Sequence, residues 1–290
     1  MKFVFIGSSG RSGTTLLQKM LVGHSQITGG PEFDYLYHLL TVYRDMSKPY
    51  QLDRQSFFYN ENELKENWKN FLNTLITHNV DVNKYTYFSE KTPTDILVST
   101  ELMELFPDSK VIYMYRDGRD AVNSFVQVEK RAKAKEGFKI HGNPKGFAEL
   151  WNICGRKFQE LKANPKYNGR IHAVCYEDLV NTPEKVIAEV MNFLGLQLEA
   201  KQLEADHDES KQLHIVDNVW YTKSMYTQNA GAQNVQKWKK GLNLYQKVVY
   251  QTIMARQLKA YNYPVSGFYI FLNTFFRSIY YKLKGIKPTT

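Results

Sequence analysis

The chain has 290 residues, 38 Lys and Arg against 29 Asp and Glu, a formal net charge of +9 and a pI near 9.2. Apolar residues make up 43% and aromatics 14%, which excludes a disordered or collagen-like chain and describes an ordinary globular one. A chain of this length buries roughly three quarters of its unfolded surface, so it folds without a disulfide or a structural metal.

The front end, Met1-Lys2-Phe3-Val4-Phe5-Ile6-Gly7, is a strand that begins at once. Its apolar stretch is too short for a signal peptide, and no run reaches the roughly 20 apolar residues of a membrane span. The chain reads as cytoplasmic and as complete at its front. A Ser/Gly loop follows the strand, and Thr14 to Leu21 has helical spacing. A short segment at Ile27-Thr28 leads to a turn at Gly29-Gly30-Pro31. Leu64, Trp68, Phe71, Leu72 and Leu75 mark an amphipathic helix over 61–79. Strands are expected at 85–89, 110–115 and 170–175, and helices at 94–106, from about 119, at 147–163 and at 182–194. Residues 205–235 are polar and weakly periodic and read as a loop-rich region over the carboxyl ends of the strands. Such alternation predicts an α/β fold in one domain, a P-loop-like central parallel sheet flanked by helices. The domain is expected over 1–264, with an aromatic and basic helical tail over 265–290. The two cysteines, Cys154 and Cys175, lie in no metal-binding spacing and read as buried thiols.

Two stretches carry chemistry. Gly7-Ser8-Ser9-Gly10-Arg11-Ser12-Gly13-Thr14-Thr15 joins a strand to a helix. Its glycines let backbone N–H groups approach an anion, and the helix N-terminus adds partial positive charge. It is not a Walker A loop, because Thr14 stands where that motif has its Lys. A turn that binds nothing is the plain alternative. In the second stretch Arg116 sits at the carboxyl end of the strand over 110–115, and Ser124 lies in the first turns of the next helix. The pair offers a charged fork and a hydroxyl to a second anion. The plain alternative is a surface ion-pair cluster of Arg116, Asp117, Arg119 and Asp120.

Together the two stretches resemble the sulfotransferase superfamily, whose donor is 3′-phosphoadenosine 5′-phosphosulfate (PAPS) and whose product is PAP. The resemblance implies that Arg11, Ser12, Gly13, Thr14 and Thr15 bind the 5′-phosphosulfate, and that Arg116 and Ser124 bind the 3′-phosphate. It implies a catalytic base at Glu32 in Gly30-Pro31-Glu32, as in the tyrosine-type and several carbohydrate-type enzymes. It places Lys91, in Ser89-Glu90-Lys91-Thr92-Pro93, on the bridging oxygen of the sulfuryl group, with Arg11 also neutralising charge. Tyr176, in Tyr176-Glu177-Asp178-Leu179, would lie near the adenosine, and Lys237 and Trp238 would help close over the nucleotide. No metal is implied.

The chain departs from the family in places. No His follows Lys91 within Lys91–Asp95, and Leu16 stands where the cytosolic enzymes carry a stacking Trp. Phe33 and Asp34 stand where the tyrosine-type enzymes place Arg and Thr, and Gln236 stands in place of their Ser. A negative Asp34 disfavours an acidic peptide, so a carbohydrate, glycolipid or other small hydroxylated acceptor is expected. Protein-tyrosine sulfation, a P-loop kinase and a non-catalytic membrane-peripheral adaptor are the alternatives. The expected partners are the acceptor, an anionic membrane surface met by the tail, and a second copy in a homodimer; nucleic acid is not among them.

Overall fold

The computed structural model describes residues 1–135, 142–204, 213, 219–220 and 234–284, with side chains omitted at 277 and 279–284. The expected loop region over 205–235 lies almost wholly outside the described residues. The chain divides into two compact units: Met1–Tyr115 with Lys157–Ala232, and Arg116–Arg156 with Gln233–Thr290.

The first unit holds five strands: β1 Lys2–Gly7, β2 Ile27–Gly29, β3 Tyr87–Glu90, β4 Lys110–Tyr115 and β5 Ile171–Cys175. They form one sheet in the order β2-β3-β1-β4-β5, with every pairing parallel. The α/β class and the parallel sheet are borne out. Helices α1 Thr14–Val22, α2 Leu36–Met46, α3 Pro49–Arg54, α4 Glu61–Thr77 and α5 Ser99–Leu105 fall between its strands.

Strand alternation explains both layers. Val4, Ile6, Ile112, Met114 and Val174 face Leu17, Met20 and Leu21 of α1 in one buried cluster. Phe3 and Phe5 point the other way, with the Phe3 ring 4.8 Å from Phe106, and Tyr113 stacks 4.5 Å from Phe158. A strand buried on both faces must be apolar at every position, which is why Val111–Met114 reads as an unbroken run. Each such side chain contributes roughly 1.5–3 kcal/mol by leaving water.

Beyond β4 come α6 Gly118–Lys133 and α7 Pro144–Ala163. After β5 come α8 Tyr176–Asn181 and α9 Pro183–Leu194, and later α10 Trp238–Gly241, α11 Leu244–Ala260 and α12 Gly267–Lys284. The helix expected over 94–106 is two pieces. A 3-10 turn runs Pro93–Val98 before α5 begins at Ser99. The Ser99 hydroxyl donates to the Asp95 carbonyl at 2.9 Å, a side-chain bond where the segments meet. Helix α2 carries a buried stripe of Leu36, Leu40 and Tyr43 that the sequence reading passed over, and α3 has no buried residue to mark it. Cys154 is buried as expected, but Cys175 is only half-buried and donates to Glu177 Oε2 at 3.2 Å.

Candidate functional site

In a sheet of this order the chain leaves β1 toward one edge and β4 toward the other. Ligands in such sheets bind beyond the carboxyl ends at this switch point. The loop from Ser8 to Gly13 sits at the end of β1. Gly10, Arg11 and Gly13 all have positive φ, at 80°, 53° and 95°. This winds the backbone into a concave turn before α1, whose N-terminus carries no side-chain cap. Ser12 is fully buried and its Oγ donates to the Gly10 carbonyl at 3.1 Å. The Arg11 guanidinium donates to the Trp220 carbonyl at 3.0 Å. Thr14 is buried and Thr15 half-buried in the first turn of α1.

Gly13 is fixed by two demands. Its φ suits glycine, and a Cβ there would lie 2.4 Å from the Tyr176 ring. Tyr176 is buried in the same cluster as Met114 and Leu17. Its ring therefore supports the loop from beneath, a contact the sequence reading did not assign to it.

Next to this loop the structure brings together two residues far apart in sequence. Lys91 Nζ donates to Glu32 Oε1, with the Lys91 side chain 4% exposed and that of Glu32 22% exposed. Three tethers hold them. Ser8 N donates to the Pro93 carbonyl at 2.6 Å, joining the Ser8–Gly13 loop to the Lys91 segment. The buried Gln18 amide donates to the Gly30 carbonyl at 3.1 Å and to the Ser89 carbonyl at 3.0 Å. Glu90, also buried, accepts from Phe33 N at 3.2 Å, Thr92 N at 3.2 Å and Thr92 Oγ1 at 2.8 Å. One carboxylate thus grips the residue after Glu32 and the residue after Lys91.

Burial pushes Glu90 up, and pushes Asp95 well above the usual carboxylate range with Glu90's charge adding to it. Two neighbouring buried carboxyls cannot both ionise cheaply. Asp34 is also raised, first by desolvation and then by the charge of Glu32. Gln18, Glu90 and Asp95 were missed as site-building residues. The signal was present: a carboxylate directly after an apolar buried strand.

In the second unit the four residues read as a surface ion-pair alternative are all buried. Asp117 caps α6 at Arg119 N and pairs with the Arg119 guanidinium at 2.7 Å. That guanidinium also donates to Gln251 and Pro264 and lies 4.1 Å over the Trp238 ring. Arg116 donates to the Asn234 carbonyl at 2.5 Å. Asp120 accepts from Gln236 N at 2.6 Å and Trp238 N at 2.7 Å, so it organises the segment that carries Lys237 and Trp238. Lys237 is exposed and donates to Asn234 Oδ1 at 2.6 Å. Ser124 is half-buried in the second turn of α6.

Asp120 gives a pH prediction. Burial raises its carboxyl from an ordinary 3.8 to about 6, although Arg116 and the two N–H donors pull the other way. Between those values the folded unit holds a proton that the unfolded chain has released. Stability therefore falls as pH rises through that window. Asp120→Asn loses one of the two N–H acceptors and is less stable overall, but its urea midpoint should fall less between pH 4 and 6 than the wild type's. Parallel slopes in the two proteins would remove Asp120 as the titrating group.

A parallel sheet with a glycine-bearing loop between β1 and α1 defines the class of P-loop-like phosphate-binding proteins. The family model described as the sulfotransferase family matches residues 4–200, and the chain belongs to that family. Protein-tyrosine sulfotransferase 2 of Gallus gallus is 29% identical over 202 residues, covering 68% of this chain and 52% of that one. The chain spans about half the length of such curated relatives. Among solved structures, the sulfotransferase domain from the curacin biosynthetic pathway superposes with a TM-score of 0.60 at 22% identity, over 91% of this chain and 99% of that one. A mouse sulfotransferase complexed with PAP superposes with a TM-score of 0.50 at 11% identity, over 89% and 85%. These two likenesses establish the fold.

Proposed function

We propose that the chain transfers a sulfuryl group from PAPS to an acceptor hydroxyl, with Glu32 as general base and Lys91 as the cation on the leaving oxygen. The observation that carries this reading is the contact of Lys91 with Glu32 beside the loop at the end of β1. A base for the acceptor and a cation for the leaving group must reach one point in space, and these two side chains do. Family membership and the mouse relative's PAP support the donor.

The chemistry follows from the groups present. The acceptor O–H bond breaks and its proton passes to Glu32. The acceptor oxygen forms the new S–O bond as the bridging S–O bond of the donor breaks, and PAP leaves with that electron pair. Arg11, Lys91 and the N–H groups from Ser12 to Thr15 neutralise the charge that gathers on the sulfuryl oxygens and the phosphate. Sulfuryl transfer shares with phosphoryl transfer an in-line path in which positioning and electrostatics supply most of the rate. Arg116 and Ser124 are read as the 3′-phosphate ligands, and Lys237 and Trp238 as residues that help close over the nucleotide.

Asp34 adds negative charge two residues from Glu32, which favours a neutral acceptor: a carbohydrate, a glycolipid or another small hydroxylated molecule. The exposed Tyr35 ring, packed edge-on to Phe33, offers such an acceptor a stacking surface. The curated relatives are named for protein tyrosine, and that is the second reading.

The donor assignment is tested by thermal unfolding with PAP, against ATP, for the wild type and Arg116→Ala. Ligand at 100 times its Kd should add about 2.7 kcal/mol, a rise on the order of 5 °C or more. A rise with PAP, weak with ATP and absent in Arg116→Ala, is the expected result. A folded wild type that shifts with neither would overturn the assignment.

A further inference from the structure

The charge of this chain is not spread along it. Residues 218–290 contain eleven Lys and Arg and no Asp or Glu. The 217 residues before them hold 27 basic and 29 acidic groups. The whole positive excess therefore arises in the last quarter of the sequence. That same segment exposes the aromatic side chains of α12.

On α12, Phe268, Phe271 and Phe275 recur at i, i+3 and i+7, and so share one face. They are 61%, 62% and 50% exposed, and the neighbouring Phe276 is 59% exposed. Phe275 lies 6.1 Å from Phe271 and 5.8 Å from Phe276, ring to ring, so these three rings are continuous, and Phe268 stands one turn before Phe271 on the same face. Tyr269, Ile270, Leu272 and Asn273 are half-buried, and α12 packs on α11. The helix thus has its inner side against protein and turns a row of phenylalanines outward. Leaving four such rings in water is costly, and monomeric proteins rarely tolerate so contiguous an apolar patch without a use for it. Arg277, Lys282, Lys284 and Lys287 follow the strip in sequence. Lys237, Lys239, Lys240, Arg256 and Lys259 of the same unit are exposed.

We infer that the outward face of α12 is a docking surface for an anionic lipid bilayer. A helix with aromatic side chains on one side and basic residues following them in sequence suits the plane of the interface, with its rings at the level of the headgroups and upper acyl chains. The lysines and arginines are drawn to the negative surface potential and add binding that salt weakens. No described helix is long and apolar enough to cross a membrane, so contact along the surface is the mode that the helix fits. A second copy of the chain suits the strip poorly, since it would bring another segment of eleven like charges to the same contact.

The test is flotation of the full chain with phosphatidylcholine vesicles and with vesicles that also contain phosphatidylserine. The triple variant Phe268→Ser, Phe271→Ser, Phe275→Ser is run beside it. The wild type should float with the anionic vesicles, at least about tenfold more weakly with the neutral ones, and less as salt is raised. The triple variant should bind the anionic vesicles at least about tenfold more weakly than the wild type. Its circular dichroism and its thermal shift with PAP should match the wild type's, since these side chains face solvent. Equal flotation of wild type and variant would overturn the proposal, and so would no flotation. Concentration-dependent dimerisation abolished by the triple variant, without flotation, would assign the strip to a second copy instead. A gel shift with nucleic acid, again without flotation, would overturn it as well. The surface stands independently of sulfuryl transfer: a chain that does not float can still bind PAP, and one that floats need not.

Discussion

Glu32→Gln is expected to bind PAP as tightly as the wild type and to transfer sulfate at least about 100-fold more slowly. Gln keeps a carbonyl oxygen for Lys91 Nζ to donate to, where Glu32 Oε1 stands now. It also keeps the volume that holds Phe33 N near Glu90. What it removes is the basic site for the acceptor proton. An attacking hydroxyl then keeps its proton until the S–O bond is well formed, and the rate falls by the share that general-base catalysis contributes. Because the interaction is made in the transition state, kcat should fall while the thermal shift with PAP is unchanged. Glu32→Ala would be a poorer choice, since it leaves the buried Lys91 ammonium facing a hole and mixes loss of the base with loss of structure. Normal turnover in Glu32→Gln would remove Glu32 as the base.

Gly13→Ala is expected to destabilise the fold by roughly 3 kcal/mol and to abolish PAP binding. Two costs add. An L side chain at φ 95° is strained wherever it sits. The new Cβ would also meet Tyr176 Cδ2 at 2.4 Å, Tyr176 Cε2 at 2.9 Å and the Met114 terminal methyl at 3.0 Å. None of these has room to retreat, because Tyr176 and Met114 lie in the buried cluster between sheet and helices. The backbone must move instead, and its N–H groups are the ones proposed to bind the phosphosulfate. For a chain this long the stability loss is a fall of about 5 °C in Tm. Gly30→Ala is the control: its nearest neighbour would be Phe88 Cζ at 3.6 Å, an ordinary contact, and its φ is not positive. That variant should change Tm by less than about 2 °C. Equal tolerance at both positions would contradict the packing described for the loop.

The fold was legible wherever burial imposes a pattern. Strands β1 and β4 are covered on both sides and read as unbroken apolar runs, and the glycines between β1 and α1 announce a tight phosphate-type turn. The family was legible because Arg11-Ser12-Gly13-Thr14-Thr15 and the pairing of Arg116 with Ser124 occur together at the expected spacing. What stayed hidden depends on contacts between distant positions. Nothing in the spacing of Glu32 and Lys91 places them in contact; the sheet order does, by setting β2, β3 and β1 side by side. The tethers from Gln18 and Glu90 are likewise invisible until β3 is known to lie between its neighbours. Asp117, Arg119 and Asp120 look in sequence like a solvated charge cluster. They are buried because α6 begins there, and its cap, the Trp238 ring and the backbone of 236–238 absorb their charges. Helix α3 hid for the opposite reason, since none of its residues is buried and no apolar stripe marks it.

The central claim is transfer itself. Purified protein is incubated with sulfur-labelled PAPS and a panel of hydroxyl acceptors: simple phenols, sugars, a glycolipid and tyrosine peptides with and without acidic flanks. Label is expected to move to at least one acceptor with stoichiometric release of PAP, a neutral acceptor should outperform the acidic peptide, and Glu32→Gln should transfer at least about 100-fold more slowly. Label that remains in PAPS across the panel, with a folded protein that binds PAP, would contradict the assignment of Glu32 and Lys91 to catalysis.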